Sequence, residues 1–192
     1  EIVDQQTGAQ VSDLVSNAWV DYSGDGALTA TTGVPLTGGA DGEVQAAAYS
    51  AYLTNIEPYP FDIMIYDGAE ATVQTALVAF VRRIAEETGA YSQLVAAGLT
   101  NPDSRYVINV GSPVTLSDGT ELTAAQATWW VGGAEAGARY NESLTYAAYP
   151  GAVATNMLTN SQYIQALKAG KLVFFAQDGV VKVQQDINSL VS

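Results

Sequence analysis

The chain has 192 residues, 48% of them hydrophobic, which is enough to bury a core, and its seven basic and twenty acidic residues leave a net charge of −13. It holds no histidine and no cysteine, which excludes Ser-His-Asp and Cys-His catalysis, disulfides and thiolate-bound zinc. The basic residues, Arg82, Arg83, Arg105, Arg139, Lys168, Lys171 and Lys182, are scattered, so the clustered positive charge that nucleic acid or an anionic membrane surface requires is missing.

No apolar run approaches the roughly 18 residues of a membrane span. The start, "EIVDQQTGAQ", shows neither the basic nor the apolar stretch of a signal peptide, so the chain reads as soluble. Because it begins at Glu1 rather than Met, it is expected to be a piece of a longer polypeptide or one with trimmed ends.

In chain order, a short helical turn is expected at residues 11–15. A hairpin follows, with strands at 18–22 and 27–31 joined by Gly24-Asp25-Gly26. Gly38, Gly39 and Gly42 form a loop. A helix is predicted over 43–55 with Tyr49, Leu53 and Ile56 on one stripe, and Pro58 and Pro60 stop it. "FDIMIYDG" reads as a buried strand, after which Asp67 and Glu70 form a capping box for the next helix.

In that helix Val73, Leu77, Phe80, Val81 and Ile84 recur at helical spacing. Arg82 with Glu86 and Arg83 with Glu87 are expected as i,i+4 pairs on the outer side, and Gly89 ends the helix. "YSQLVAAG" and "RYVINVGS" read as two more strands joined by "TNPDS", so strand, helix and strand form a βαβ unit.

"PVTLSDGTELT" is a hairpin turning at Asp118-Gly119. Thr123 with Gln126 caps a helix over 124–138, and Thr159 with Gln162 caps another that runs to Ala169, with Gly170 past its end. "KLVFFAQDGVVKVQQDI" is predicted as one closing hairpin around Asp178-Gly179. With no repeat and no long linker, residues 1–192 read as one α/β domain: a mixed sheet with a βαβ unit, several β-hairpins and flanking helices.

Each candidate for chemistry has a plainer reading. Asp21, Ser23, Asp25 and Gly26 resemble the opening of a calcium loop, but Thr32 stands where the bidentate Glu belongs, which favours a hairpin turn. "LTGGADGE" lacks the Gly-Lys-Ser/Thr ending of a phosphate cradle and reads as a tight loop. Asn141-Glu142-Ser143 matches a glycosylation acceptor by letters only. Asp62 with Asp67, and Asp103 with Arg105, are candidate carboxylate pairs in a chain rich in surface acid.

Trp129 and Trp130 precede Gly132, Gly133, Ala134, Ala136, Gly137 and Ala138, two helical turns with almost no side-chain bulk. Glycine costs about 1 kcal/mol relative to alanine inside a helix. Close approach of another backbone is the expected compensation, and a cleft for an aromatic ligand is the rival.

The stretches "LTAAQATWWVGGAEAGARYNESLTYAAYPGA", "LTNSQYIQALKAGKLVFF" and "DGVVKVQQDINSL", with "VPLTGGADG" and "RYVINVGSPVTLSDGTELTAAQA" upstream, together resemble the contractile tail sheath proteins of phages and prophages. The resemblance implies a structural subunit of stacked hexameric rings around a tail tube. The rings contract on a signal from the baseplate and drive the tube through the target envelope.

The family's core is likened to subtilisin, which without histidine can concern fold alone. The resemblance therefore implies no catalytic, cofactor-binding or metal residues. It further implies self-association, tail-tube and baseplate partners, and a place in the virion tail after assembly in the host cytoplasm. Family members join neighbours through terminal arms. The chain stops just after "DINSL", so the isolated fragment is expected to be monomeric. Three alternatives remain: a related bacteriocin or secretion-system sheath, a hydrolase using carboxylate or Ser-Lys chemistry around Lys168, Lys171 or Lys182, and an acidic metal- or carbohydrate-binding module.

Overall fold

The computed structural model describes residues 46–139 and 141–192, which lie in the compact unit Val44–Ser192. The expectations for residues 11–15, the 18–31 hairpin, the Asp21 to Asp25 loop and the Gly38 to Gly42 loop lie outside the described residues.

Helix α1 (Ala46–Ile56) leads to β1 (Ile63–Tyr66), α2 (Ala71–Thr88), β2 (Gln93–Ala97) and β3 (Val107–Val110). The predicted βαβ unit is present: β1 pairs in parallel with β2, and β2 with β3. Alternation along β2 and β3 divides the interior between two faces of this sheet. Leu94, Ala96 and Val107 join Val73, Leu77, Phe80, Val81 and Ile84 of α2, with Leu53 of α1 closing that layer. Val95, Ala97, Ile108 and Val110 face the other way into a second cluster. Covered on both sides, the two central strands are apolar almost throughout, as parallel strands must be. Gln93 opens β2 half-buried, and the one fully buried polar residue, Asn109, is 1% exposed and satisfies itself on the backbone of Leu99, accepting from its N–H at 3.3 Å and donating to its carbonyl at 3.1 Å.

The start of α2 differs from expectation. Residues 67–70 lie outside the helix, and the N-cap position falls to Glu70, whose backbone is extended and whose side chain makes no capping bond. Asp67 is too far back to reach the first turn, and its carboxylate accepts the Trp129 indole N–H at 3.0 Å instead. The pairs on the outer face also divide. Arg83 meets Glu87 at 3.5 Å as predicted but makes a two-pronged contact with Glu57, at 2.9 and 2.6 Å, that ties α2 to the end of α1. Arg82 leaves Glu86 and donates to the Pro102 and Asp103 carbonyls at 3.1 and 3.3 Å. Gly89 ends the helix in the left-handed region, at φ 74°.

The second half builds the other layer. β4 (Val114–Leu116) and β5 (Glu121–Leu122) form the expected hairpin, and α3 (Ala124–Gly137) starts from a complete capping box. The Thr123 hydroxyl accepts from the Gln126 N–H at 3.2 Å, and Gln126 accepts from the Thr123 N–H at 3.0 Å. Helix α3 then lies across β1, β2 and β3. β6 (Ala152–Thr155), not foreseen from its short run of small residues, pairs antiparallel with β4. α4 (Asn160–Lys168) carries the third predicted cap, which is also a full box.

The predicted closing hairpin is split. β7 (Lys171–Leu172) joins the parallel sheet beside β3, giving the order β1-β2-β3-β7, and only β8 (Phe174–Gln177) and β9 (Val180–Val183) pair around Asp178-Gly179. Val173, 1% exposed, marks the crossover between two buried environments, and the uniformly apolar "KLVFF" gives no boundary there.

The Gly-rich turns of α3 are compensated differently from expectation. A β-carbon on Gly132 would stand 2.5 Å from Ile65 Cγ1 and 2.6 Å from Ile65 Cδ1, so what fills the space is the side chain of β1, and no partner backbone approaches among the described residues. Gly133 has open space beside it among those residues. Replacing Gly133 with alanine is therefore expected to raise unfolding free energy by about 0.5–1 kcal/mol from helix propensity. Gly132→Ala should forfeit that gain to overpacking against Ile65. Urea denaturation of the two variants against the parent chain checks the contrast.

Candidate functional site

The segment from the end of α3 to β6 is held by a cluster of half-buried and exposed polar side chains over an apolar base. Its apolar floor is an aromatic trio: Trp130 lies 4.7 Å from Tyr149 and 6.5 Å from Phe174, and Tyr149 meets Phe174 edge-on at 5.7 Å. Edge-to-face and offset pairs of this kind add to simple area burial. Beyond it the chain turns at Arg139, where the Glu142 carboxylate accepts the Arg139 N–H at 3.0 Å.

Asp186 organises residues 143–145. Its Oδ2 accepts from the Leu144 N–H at 2.9 Å and from the Ser143 hydroxyl at 3.1 Å, and its own N–H donates to the Thr145 hydroxyl at 3.0 Å. Tyr146 is thereby held at φ 62°, a conformation that bulky residues adopt only when their surroundings impose it. Residues 146–149 then run beside β9, with N–H to carbonyl bonds from Tyr146 to Val183 at 2.9 Å and from Tyr149 to Val181 at 2.8 Å.

Glu135, in the last turn of α3, lies against Asp186. Burial pushes its carboxyl up to about 7, helped by the nearby charge of Asp186. Oε1 of Glu135 is buried and makes no hydrogen bond among the described residues. A carboxyl that stays protonated avoids burying an unpartnered charge beside Asp186 and accounts for both facts. Such a pair is the raw material of general acid catalysis, but here Asp186 is committed to three loop contacts. The adjoining hollows, of about 500 and 440 Å³, are open grooves lined in part by Asp62, Gln93, Arg105 and Asn188. The arrangement pins a turn.

The candidates named from sequence separate in space. Asp62 and Asp67 take different partners: the Asp62 carbonyl accepts the Gln93 N–H at 2.9 Å, and Asp67 holds Trp129. Asp103 is not paired with Arg105, whose guanidinium lies 5.5 Å over the Tyr106 ring. Asp103 accepts the amides of Val191 and Ser192 instead, at 2.8 and 3.1 Å, and these bonds lower its pKa. In the Asn141-Glu142-Ser143 triplet, Ser143 and Glu142 are spent on the turn. Among the described residues, both ion pairs belong to Arg83, so Lys168, Lys171 and Lys182 form none with an acid. Nor does any group of three or more acidic side chains converge among them as a metal ligand set would. No helix among them is long and apolar enough to cross a membrane.

Glu135 with Asp186 is the grouping that sequence reasoning missed. One helix and four strands separate the two residues along the chain. The available signal was a lone acid in an otherwise Ala- and Gly-rich helix.

A parallel α/β sheet faced by helices on both sides, carrying two small antiparallel ribbons and polar groups devoted to turns, defines a packing domain. The family described as "Phage tail sheath protein central domain" matches residues 42–189, and the chain belongs to the phage tail sheath proteins. It is 34% identical over 212 residues to the phage-like element PBSX protein XkdK of Bacillus subtilis, covering 99% of this chain and 45% of that protein. The sheath tail protein of Desulfitobacterium hafniense superposes with a TM-score of 0.79 at 44% identity, over 95% of this chain and 44% of that one. The sheath tail protein Lin1278 of Listeria innocua gives 0.74 at 35%, over 81% and 36%. The chain thus spans a little under half the length of these relatives.

The raised pKa of Glu135 makes stability depend on pH with a definite sign. The folded value, about 7, lies above the ordinary 4.5, so the contribution is complete below about 4.5 and is lost as pH rises through 7. Asp62, Arg105 and Asp186, with Tyr91 and Tyr106, are the other ionisable groups lining the grooves around it. The chain has no histidine to titrate in that window. Unfolding free energy should fall by about 1–2 kcal/mol between about pH 5 and 7.5, discounted for solvent at a half-buried group. Glu135→Gln, which keeps the shape of the side chain but cannot ionise, should flatten the profile, and denaturant melts across pH read both.

Proposed function

We propose that the chain is a structural subunit of a contractile tail sheath. Copies assemble as stacked hexameric rings around a tail tube, dock on a baseplate and shorten to drive the tube through a target envelope. The observation that carries this reading is the family match across residues 42–189, reinforced by superposition on a sheath tail protein over 95% of the chain. On this reading the protein works in the virion tail after assembly in the host cytoplasm, has no enzymatic role, and is monomeric as the isolated 192-residue chain. Its acidity opposes nucleic-acid binding.

The packing of the domain suits such a role. Subunits that change lattice while keeping their own fold need a domain that moves as a body. The two apolar layers on one parallel sheet and the three-point hold of Asp186 supply that stiffness.

Purified tail particles should contain peptides of this chain in a striated sleeve seen by negative-stain electron microscopy and identified by mass spectrometry. Recovery of the protein only as a free soluble species, outside any tubular particle, would overturn the proposal.

A further inference from the structure

Residues 184–192 have no regular structure, yet they are bound at successive points to different parts of the domain. The Gln184 N–H donates to the Val173 carbonyl at 2.9 Å, and Asp186 holds the turn at residues 143–145. Ser189 is 1% exposed and bonds in three directions: its N–H to the Val107 carbonyl at 2.8 Å, its hydroxyl to the Ser104 carbonyl at 2.9 Å, and that hydroxyl from the Ser104 N–H at 3.3 Å. Past it, Asp103 takes the amides of Val191 and Ser192.

Two features show that the fold is shaped around this segment. Gly170, at φ 65°, admits the Ser189 backbone so closely that a β-carbon there would stand 2.8 Å from Ser189 Cα and 2.8 Å from its carbonyl oxygen. Asn101 and Asp103 hold left-handed conformations, at φ 44° and 38°, in the loop that presents the Asp103 carboxylate. Arg82, from α2, fastens the same loop through the Pro102 and Asp103 carbonyls. The segment is therefore tied to the α3–β6 turn, to the start of β3 at the centre of the parallel sheet, and through Arg82 to α2.

We propose that residues 184–192 are a tension-bearing clasp: a pull applied to the chain at Ser192 enters the domain through Asp103, Ser189 and Asp186 and reaches the parallel sheet before any part of the segment peels away. This rests on the sheath reading for its purpose, since a contracting lattice pulls on its subunits. As a property of the fold it stands independently. The clasp keeps Ser192 fixed relative to the sheet, so that a pull there turns the whole domain.

The test is single-molecule pulling of the 192-residue protein with optical tweezers. One handle goes on the C-terminus and the other on Glu86→Cys, an exposed α2 position in a chain with no native cysteine. Release of the clasp alone frees residues 184–192, about 30 Å of extended chain. The parent protein should show no such step before the main unfolding event. An Asp103→Ala, Ser189→Ala double variant should show it at low force. An early step of about 30 Å in the parent protein, or a double variant that extends like the parent, overturns the proposal. The parent trace decides even if the variant does not fold. Failure here leaves the sheath reading to the particle experiment, and failure there leaves this one intact.

Discussion

Everything in the domain depends on two short strands being buried on both faces. β2 and β3 present Leu94, Ala96 and Val107 to the α1–α2 layer and Val95, Ala97, Ile108 and Val110 to the α3 layer. At about 25 cal/mol per Å² of apolar surface removed from water, this double burial is the main driving term for the fold. It also fixes strand register, because a slip of one residue would exchange the two faces. The antiparallel ribbons attach to this platform through Phe174, Val181 and Val183, which lie in the same cluster as Val110 and Val131.

The polar architecture follows from that apolar one. Once the sheet is covered, every connection from one layer to the other must satisfy its own backbone groups. Gln74 does so by donating to the Gly68 and Ala97 carbonyls, each at 3.1 Å, Asn109 by its bonds to Leu99, and Asp186 by holding residues 143–145. Each of these side chains is spent on holding the backbone of another segment. The exposed Trp129, 49% accessible, and Ile65, 41%, lie on the β1 side of the sheet, where α3 crosses it.

Much of this was legible from local pattern. The apolar spacing of α2, the Thr123–Gln126 and Thr159–Gln162 boxes and the Asp-Gly turns are short-range signals, and the structure contains each of them among the described residues. What could not be read depends on distant partners. "KLVFF" is apolar throughout, and only the neighbouring edge of β3 divides it between sheet and hairpin. Asp67 has the spacing of a cap but goes to an indole from α3. Gly132 is explained by an isoleucine from β1, and Glu135 by an aspartate near the end of the chain. The family resemblance was carried by motifs in order along the chain, and so was visible where individual contacts were not.

In the proposed sheath role this domain acts as one stiff body while its surroundings rearrange. The most direct measurement of that role is electron cryomicroscopy of purified tails in their extended and proposed contracted states, with this domain resolved to side chains in both. A stiff domain keeps the Trp130 to Tyr149 spacing of 4.7 Å, the Asp186 hold on Leu144 and the Ser189 seat against Gly170 the same in both states, with all change in how copies meet. A β3–β7 pairing that parts, or a segment 184–192 that leaves its seat, between the two states would contradict it.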